Sequence, residues 1–231
     1  NHHIIKIGQF NELSFLWLED AGLGYAAIAV IDVGDYAQIH KVTFKNCDIG
    51  VLVQSNTQDT FFYGEYLDYN GLYSYGTIIE ANNGFTAFAN LENYYNFPTE
   101  LTSPAGIFPI GTYATGTGAY ANILTSGHTS TINTGTCIWA VNGSIIDVDA
   151  TSIDSWDIGI YIENAGVAST INFKGNCTNS VSYDLFVDHP DGSGGYIGSA
   201  DMSKVIIDDD SNFIINVLDT SNGEFNITDK L

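Results

Sequence analysis

The chain contains no arginine. Its basic residues are six lysines set against 27 Asp and Glu, a formal charge of -21. A surface of that sign repels phosphate backbones and anionic headgroups, which sets aside nucleic-acid binding and peripheral membrane docking. Cysteine is also scarce. Cys47, Cys137 and Cys177 are too few and too scattered for a disulfide framework, lack zinc-site spacing, and read as small buried hydrophobes. No run of about 18 apolar residues occurs, so no membrane-spanning helix is expected. The opening Asn1-His2-His3 has neither Met nor a basic-then-apolar leader, which reads as a trimmed or processed chain. Helical periodicity is almost missing throughout. What is present is ample core material, 45% hydrophobic residues in 231, so a folded chain is expected rather than a disordered one.

A short strand with Gly near its start recurs along the chain. Asp48-Ile49-Gly50-Val51-Leu52-Val53 is echoed by Asp157-Ile158-Gly159-Ile160-Tyr161-Ile162, and Tyr75-Gly76-Thr77-Ile78-Ile79 has the same shape. Ile138-Trp139-Ala140-Val141 and Tyr183-Asp184-Leu185-Phe186-Val187 are looser versions. Phe44-Lys45-Asn46-Cys47 and Phe173-Lys174-Gly175-Asn176-Cys177 precede strands in a second echo. Steps of roughly 20 to 26 residues between equivalent strands point to a solenoid of stacked parallel coils. An antiparallel sandwich would give turn signals every 8 to 12 residues without such position-specific echoes.

Alternation along each strand then assigns faces. Ile49, Val51 and Val53 are expected inside, as are Tyr75, Thr77, Ile79, Ile158, Ile160, Ile162, Tyr183, Leu185 and Val187. Gly50, Gly76 and Gly159 are expected outside, followed by an apolar outward column of Leu52, Ile78, Val141, Tyr161 and Phe186. Such a column calls for a cover: a crossing loop, another subunit or a ligand. Trp156 stands where Cys47 stands in the repeat, so both are expected on the same side.

The motifs Asn46-Cys47-Asp48-Ile49-Gly50 and Ser155-Trp156-Asp157-Ile158-Gly159, with the coils over residues 25–97 and 138–215, resemble the right-handed parallel β-helix of the pectin-lyase-like superfamily. That resemblance implies an all-β solenoid spanning the chain as one module of a longer protein. The superfamily includes polysaccharide lyases, phage tailspikes, viral fibre proteins and bacterial surface adhesins, so it does not fix an activity. Its lyases use an arginine or lysine base on acidic sugars. With no arginine and a repulsive surface, uronate lyase activity is not expected.

From Leu101 to Ile146 there is no Asp, Glu, Lys or Arg, and only His128 titrates near neutral pH. Residues 98–137 interrupt the repeats and are read as an uncharged Gly/Thr/Ala-rich insertion between coils, with short strands at Tyr120–Leu124 and Ser130–Ile132. A neutral patch on so acidic a body suits self-association.

Among chemical groups, Asp147 and Asp149 share a strand face, and Asp154 and Asp157 follow closely. Such carboxylates suit a glycosidase pair or calcium, though no calcium motif is present; the ordinary reading is a solvated acidic edge. Asp188-His189-Pro190-Asp191-Gly192 places an imidazole between carboxylates in a turn without a linked nucleophile, and Asp208-Asp209-Asp210 is a polar charge run. Trp139, Tyr161 and Phe186 fall at corresponding outward positions, a platform for glycan or for a subunit interface. Phe61-Phe62-Tyr63 and Tyr94-Tyr95 are assigned first to the core.

The expectation is a structural and adhesive module of a phage or viral fibre or spike, or of a cell-surface appendage. It would be extracellular or on a virion or cell surface, homotrimeric, in possible contact with surface glycan, without cofactor or membrane insertion. The alternatives are a tailspike-like glycoside hydrolase using paired carboxylates and a secreted monomeric adhesin.

Overall fold

The computed structural model describes residues 4–97 and 109–188 apart from 9–11, 72–73, 131–132, 164–166, 168 and 179, together with strands within 204–229. In chain order the strands are β1 (Ile5–Ile7), β2 (Glu12–Glu19), β3 (Ala26–Ile31), β4 (Tyr36–Lys45), β5 (Ile49–Ser55), β6 (Thr60–Asn70), β7 (Tyr75–Ala81), β8 (Ala87–Glu92), β9 (Tyr95–Phe97) and β10 (Ile110–Thr115). They continue as β11 (Ala119–Thr129), β12 (Thr136–Val141), β13 (Ile145–Asp154), β14 (Ile158–Glu163), β15 (Thr170–Thr178), β16 (Tyr183–Asp188), β17 (Lys204–Ile207), β18 (Asn212–Phe213), β19 (Val217–Asp219) and β20 (Asn226–Asp229).

Every strand pairs in parallel with its equivalent in the next coil. The first sheet has nine strands, β1-β3-β5-β7-β10-β12-β14-β16-β19, and the second has eleven along β2-β4-β6-β8-β11-β13-β15-β17-β20 with β9 and β18 at its side. The fold is an all-β parallel solenoid, with no helix among the described residues. A single coil leaves its apolar inner face bare, and the coils above and below it close that face.

The bends between strands are built from left-handed residues. Asp20, Asn46 and Ser155 (φ 61°, 53° and 61°) turn the chain from the second sheet towards the first, and Asp32, Asn83 and Asn142 (φ 50°, 57° and 57°) turn it back. Short polar side chains tolerate this conformation. A third column bends the second sheet itself. Phe15, Lys41, Tyr66 and Asn93 all have φ of 50° to 58°, and the pairing passes over Phe15, Lys41 and Tyr66 from one side to the other.

Inside, Val51, Val53, Ile79, Ile160, Ile162 and Leu185 are buried in the main core with Ile39, Leu67, Leu91, Ile123 and Ile171. Cys47 and Trp156 are both buried, as their shared place in the repeat requires, and all three cysteines are buried free thiols. An aromatic file also runs lengthwise through the interior. Phe44 stacks on Tyr69 at 4.6 Å, Tyr69 meets Tyr94 edge-on at 5.0 Å, and Tyr94 lies 5.2 Å from His128. Trp156 Nε1 then donates to the His128 carbonyl at 3.3 Å.

Strict alternation fails at the start of the first-sheet strands. Ala27 and Ile28 are consecutive and both belong to the main core, whereas Ala26, Ala29 and Ile49 form a separate cluster against Leu52, Tyr75 and Ile78. The glycines expected outside are buried. A Cβ on Gly50 would lie 2.1 Å from Tyr69 Cε1, so the glycine leaves room for the inner aromatic file. Ile49, Tyr75, Ile158 and Tyr183, expected inside, therefore stand with the outer column: Tyr75 contacts Tyr113 at 5.7 Å, Tyr183 stacks on Phe186 at 5.2 Å, and half-buried Ile158 is the register partner of Tyr183.

Within the range 98–137 read as an insertion, the described strands belong to regular coils. Ile110–Thr115 is a first-sheet strand in register with Tyr75 and Thr136 on either side, and Ala119–Thr129 is a second-sheet strand between β8 and β13. Tyr120–Leu124 is strand as expected, but as part of a regular coil, and Ser130 lies outside the strand. Residues 98–108 lie outside the described residues. Phe61-Phe62-Tyr63 divides by alternation, with Phe62 in the core and its neighbours half-buried on the outer side.

Candidate functional site

From β3 to β16 the sequence places one aromatic or aliphatic side chain at the fourth position of each first-sheet strand, and parallel pairing aligns them. Ala29, Leu52, Ile78, Tyr113, Trp139, Tyr161 and Phe186 are partners in successive strands. The last four form a continuous ring ladder. Tyr113 meets Trp139 edge-on at 5.4 Å, Trp139 lies 4.7 Å from Tyr161, and Tyr161 stacks on Phe186 at 5.0 Å and 14°. All four are half-buried. The three ring residues picked from sequence thus come together, and Tyr113 and the flanking Tyr75 and Tyr183 join them. Val141 does not belong there. It pairs with Thr115 and Glu163, two residues further along, and Trp139 fills the column in its place.

Charge is distributed unevenly around this ladder. The row beside it runs through Gln54, Glu80, Thr115, Val141 and Glu163. In β10 and β12 the outer positions are Ile110, Tyr113, Thr115, Thr136, Trp139 and Val141, none of them charged. The uncharged part of the chain therefore supplies two complete neutral strands of the first sheet. The Trp139 Nε1–H is buried and finds no acceptor among the described residues.

The outer side of the second sheet carries a different arrangement. Tyr36, Phe61, Phe88 and Tyr120 align one per coil. Their ring centroids are 5.3, 6.3 and 5.2 Å apart, with Phe88 and Tyr120 stacked at 8°. Two residues along, Tyr63, Asn90, Asn122, Asp147 and Asn172 form a polar row. Asn122 Nδ2 donates to Asn90 Oδ1 at 2.8 Å, and Asn172 Nδ2 donates to Asp147 Oδ1. Tyr63 donates to Glu92 at 3.0 Å. Its phenol is pushed up to about 12 by burial and then by that carboxylate. The Tyr120 phenol, also raised to about 12 by burial and its bond to Asp147, remains a neutral donor.

The four candidate aspartates are each committed to a neighbour. Asp147 accepts from Tyr120 on one oxygen and Asn172 on the other. Asp149, on the same outer face with buried Val148 between them, pairs with Lys174 at 3.4 Å. Asp154 accepts from Ser155 Oγ at 3.0 Å. Asp157 accepts from Ser182 Oγ, and its carbonyl receives the Ser182 and Tyr183 amides at 2.9 and 3.1 Å. Asp48 repeats that clasp one half of the molecule away, taking Ser74 Oγ and the Gly24 amide on its carboxylate and the Ser74 and Tyr75 amides on its carbonyl. Bonds of this kind tie each coil to the next. No group of three or more His, Cys, Asp or Glu suited to a metal ion occurs among the described residues. His189 and Asp208–Asp210 lie outside the described residues.

No protein-family model, curated protein or solved structure matches this chain.

Proposed function

We propose that the chain is a structural and adhesive β-solenoid module of a fibre, spike or cell-surface appendage, extracellular or on a virion or cell surface, and that it self-associates as a homotrimer through the outer face of its first sheet. The observation that carries this reading is the ring ladder Tyr113–Trp139–Tyr161–Phe186, whose first two strands carry no charged residue, on a chain of charge -21. Copies of so acidic a chain repel one another everywhere except where carboxylates are missing. An aromatic strip with two uncharged strands at its centre, between Glu80 and Glu163, is where a like-charged copy can approach and bury surface. The remaining architecture fits a load-bearing role: aliphatic and aromatic files along the interior, with aspartate clasps between coils.

Sedimentation equilibrium or light scattering tests it. The native chain is expected well above the 25.0 kDa of one copy. Trp139→Asp is expected to return it to a monomer with an unchanged far-ultraviolet spectrum, and Tyr161→Ser gives the same reading if the first variant folds poorly. A native protein that stays monomeric at high concentration overturns the self-association.

A further inference from the structure

Among aromatic side chains, phenols and indoles give up an electron to a peroxidase-type oxidant and phenylalanine does not, so the identity of each ring separates the two outer ladders. On the first sheet Tyr75, Tyr113, Trp139 and Tyr161 follow one another in contact, with ring centroids 5.7, 5.4 and 4.7 Å apart. On the second sheet Phe61 and Phe88 stand between Tyr36 and Tyr120 and break the run. We infer that Tyr75 and Tyr113 form an oxidative cross-linking site, joined ring to ring by hydrogen peroxide acting through a one-electron oxidant, with Trp139 relaying oxidising equivalents to it. The link lies within one copy, so it goes beyond the self-association above and does not depend on it.

The chemistry needs two phenols in contact whose protons can leave. The Tyr75 and Tyr113 rings are tilted at 54° to each other, and both residues are half-buried rather than sealed in. A bond between two aromatic rings tolerates such a tilt, and the broad χ2 torsion of tyrosine lets the two edges turn towards each other. Each phenol loses one electron and its hydroxyl proton, and the two radicals pair through ring carbons next to the hydroxyls. The hydrogens on those carbons then shift to the oxygens and restore both phenols. Hydrogen peroxide takes up the two electrons and two protons and leaves as two molecules of water. Tyr69 and Tyr94 also touch, at 5.0 Å, but both are fully buried, with their hydroxyls bonded to Thr77 and to the Gly111 carbonyl. Their protons have no way out, so contact alone does not make a site.

Trp139 touches Tyr113 on one side and Tyr161 on the other. Its buried Nε1–H has no acceptor among the described residues. An indole radical cation there keeps its proton and remains a strong oxidant of the phenols beside it. Tyr161 stacks on Phe186, which traps no radical, whereas Tyr113 has the Tyr75 phenol against it, and coupling there is irreversible. The position of the pair gives the bond a mechanical use. β7 and β10 are neighbours in the first sheet, yet β8, β9 and residues 98–108 lie between them in sequence. A covalent bond across this step restricts the unfolded chain as a disulfide would. The three thiols are buried and free, so no disulfide closes that loop.

Treating the full chain, at low micromolar concentration, with a haem peroxidase and hydrogen peroxide tests this by mass spectrometry. The expected product has the mass of one chain less two hydrogens and emits dityrosine fluorescence. Cleavage after Glu80 and Glu92 should leave the Tyr75 and Tyr113 peptides joined. Tyr75→Phe and Tyr113→Phe should each abolish the joined peptide, Tyr66→Phe should leave it unchanged, and Trp139→Phe should lower its yield several-fold. The linked chain should melt several degrees above the untreated one. The site is overturned if the linked tyrosines are instead the exposed Tyr36 and Tyr66, if links join only different copies and vanish on dilution, or if no linked product forms. An unchanged yield in Trp139→Phe overturns the relay.

Discussion

His128 is the most informative residue to perturb, because it carries the titrating group of the uncharged segment into the interior. It is fully buried, 5.2 Å from the Tyr94 ring, and burial lowers its pKa from 6.5 to about 3. The unfolded chain binds a proton there below about pH 6.5, while the folded chain stays neutral down to about pH 3. Stability from this group is therefore complete above pH 6.5 and is lost as the pH falls towards 3. Each pH unit in that window costs about 1.4 kcal/mol, and between pH 7 and pH 5 the unfolded state goes from about one quarter to almost fully protonated, a loss of about 2 kcal/mol. Urea unfolding at pH 7, 6 and 5 reads this directly. Trp156 is a convenient reporter, since its indole donates to the His128 carbonyl. His128→Phe removes the titration and keeps a ring against Tyr94. Whatever it does to absolute stability, its curve of stability against pH should be flatter than that of the native chain by about 2 kcal/mol over that interval. The other four histidines and all carboxylates are common to both proteins and cancel. Parallel curves would refute the placement of β11 in the core.

Glycine tests the coil corners. At Gly116, with φ 96°, a Cβ would lie 2.0 Å from the Ala81 carbonyl oxygen, whereas at Gly84, with φ 80°, nothing lies within 4 Å. Gly84→Ala should cost only the left-handed strain, about 1–2 kcal/mol, and Gly116→Ala clearly more; equal thermal shifts would contradict the packing of these bends. In the interior, Tyr69 and Thr77 share a buried hydroxyl bond of 2.7 Å. Tyr69→Phe should cost about 1–2 kcal/mol and adding Thr77→Val should recover part of it, read from a double-mutant cycle in urea. At the next level up, Asp157→Ala removes a clasp between coils and should lower stability by about 1–2 kcal/mol; an unchanged melting temperature would argue against the clasp.

The solenoid was legible because stacking imposes one condition on every coil. Parallel neighbours align equivalent residues, so Asp48-Ile49-Gly50 and Asp157-Ile158-Gly159 have to meet similar surroundings, and the repeat is visible without knowing what surrounds it. The faces of Ile49 and Gly50 were not legible in the same way. Alternation holds within a strand but is broken where the chain enters it, and the reason lies on another strand, in the Tyr69 ring that fills the space a side chain at Gly50 would need. The coil at Ile110–Thr115 is masked in the sequence by its uncharged composition. Ile110-Gly111-Thr112 repeats Gly-Thr of Tyr75-Gly76-Thr77 and pairs with it in register. The longer step between those two strands contains residues 98–108, and that extra length hid the echo. The ring column is visible in the sequence at Tyr161 and Phe186, whereas spacing alone leaves a two-residue ambiguity between Trp139 and Val141, which share a side of their strand.

The distribution of charge gives the two faces separate physical roles. Burial of aliphatic side chains inside the coils would be equally well served by any exterior, so the fold does not require ring ladders on its outer surface. Apart from exposed Tyr36, the rings of those ladders are half-buried, packed on their own neighbours along the axis, which preorders them and lowers the cost of covering them. On the first sheet the strands that carry Tyr113 and Trp139 have no charged residue, and a like-charged copy meets least repulsion there. On the second sheet the rings keep company with amides and carboxylates already tied to one another, a surface that a second acidic chain would have to desolvate without compensation. The same stacking that makes the rod rigid therefore spaces both sets of groups, and their neighbours decide what each set can hold.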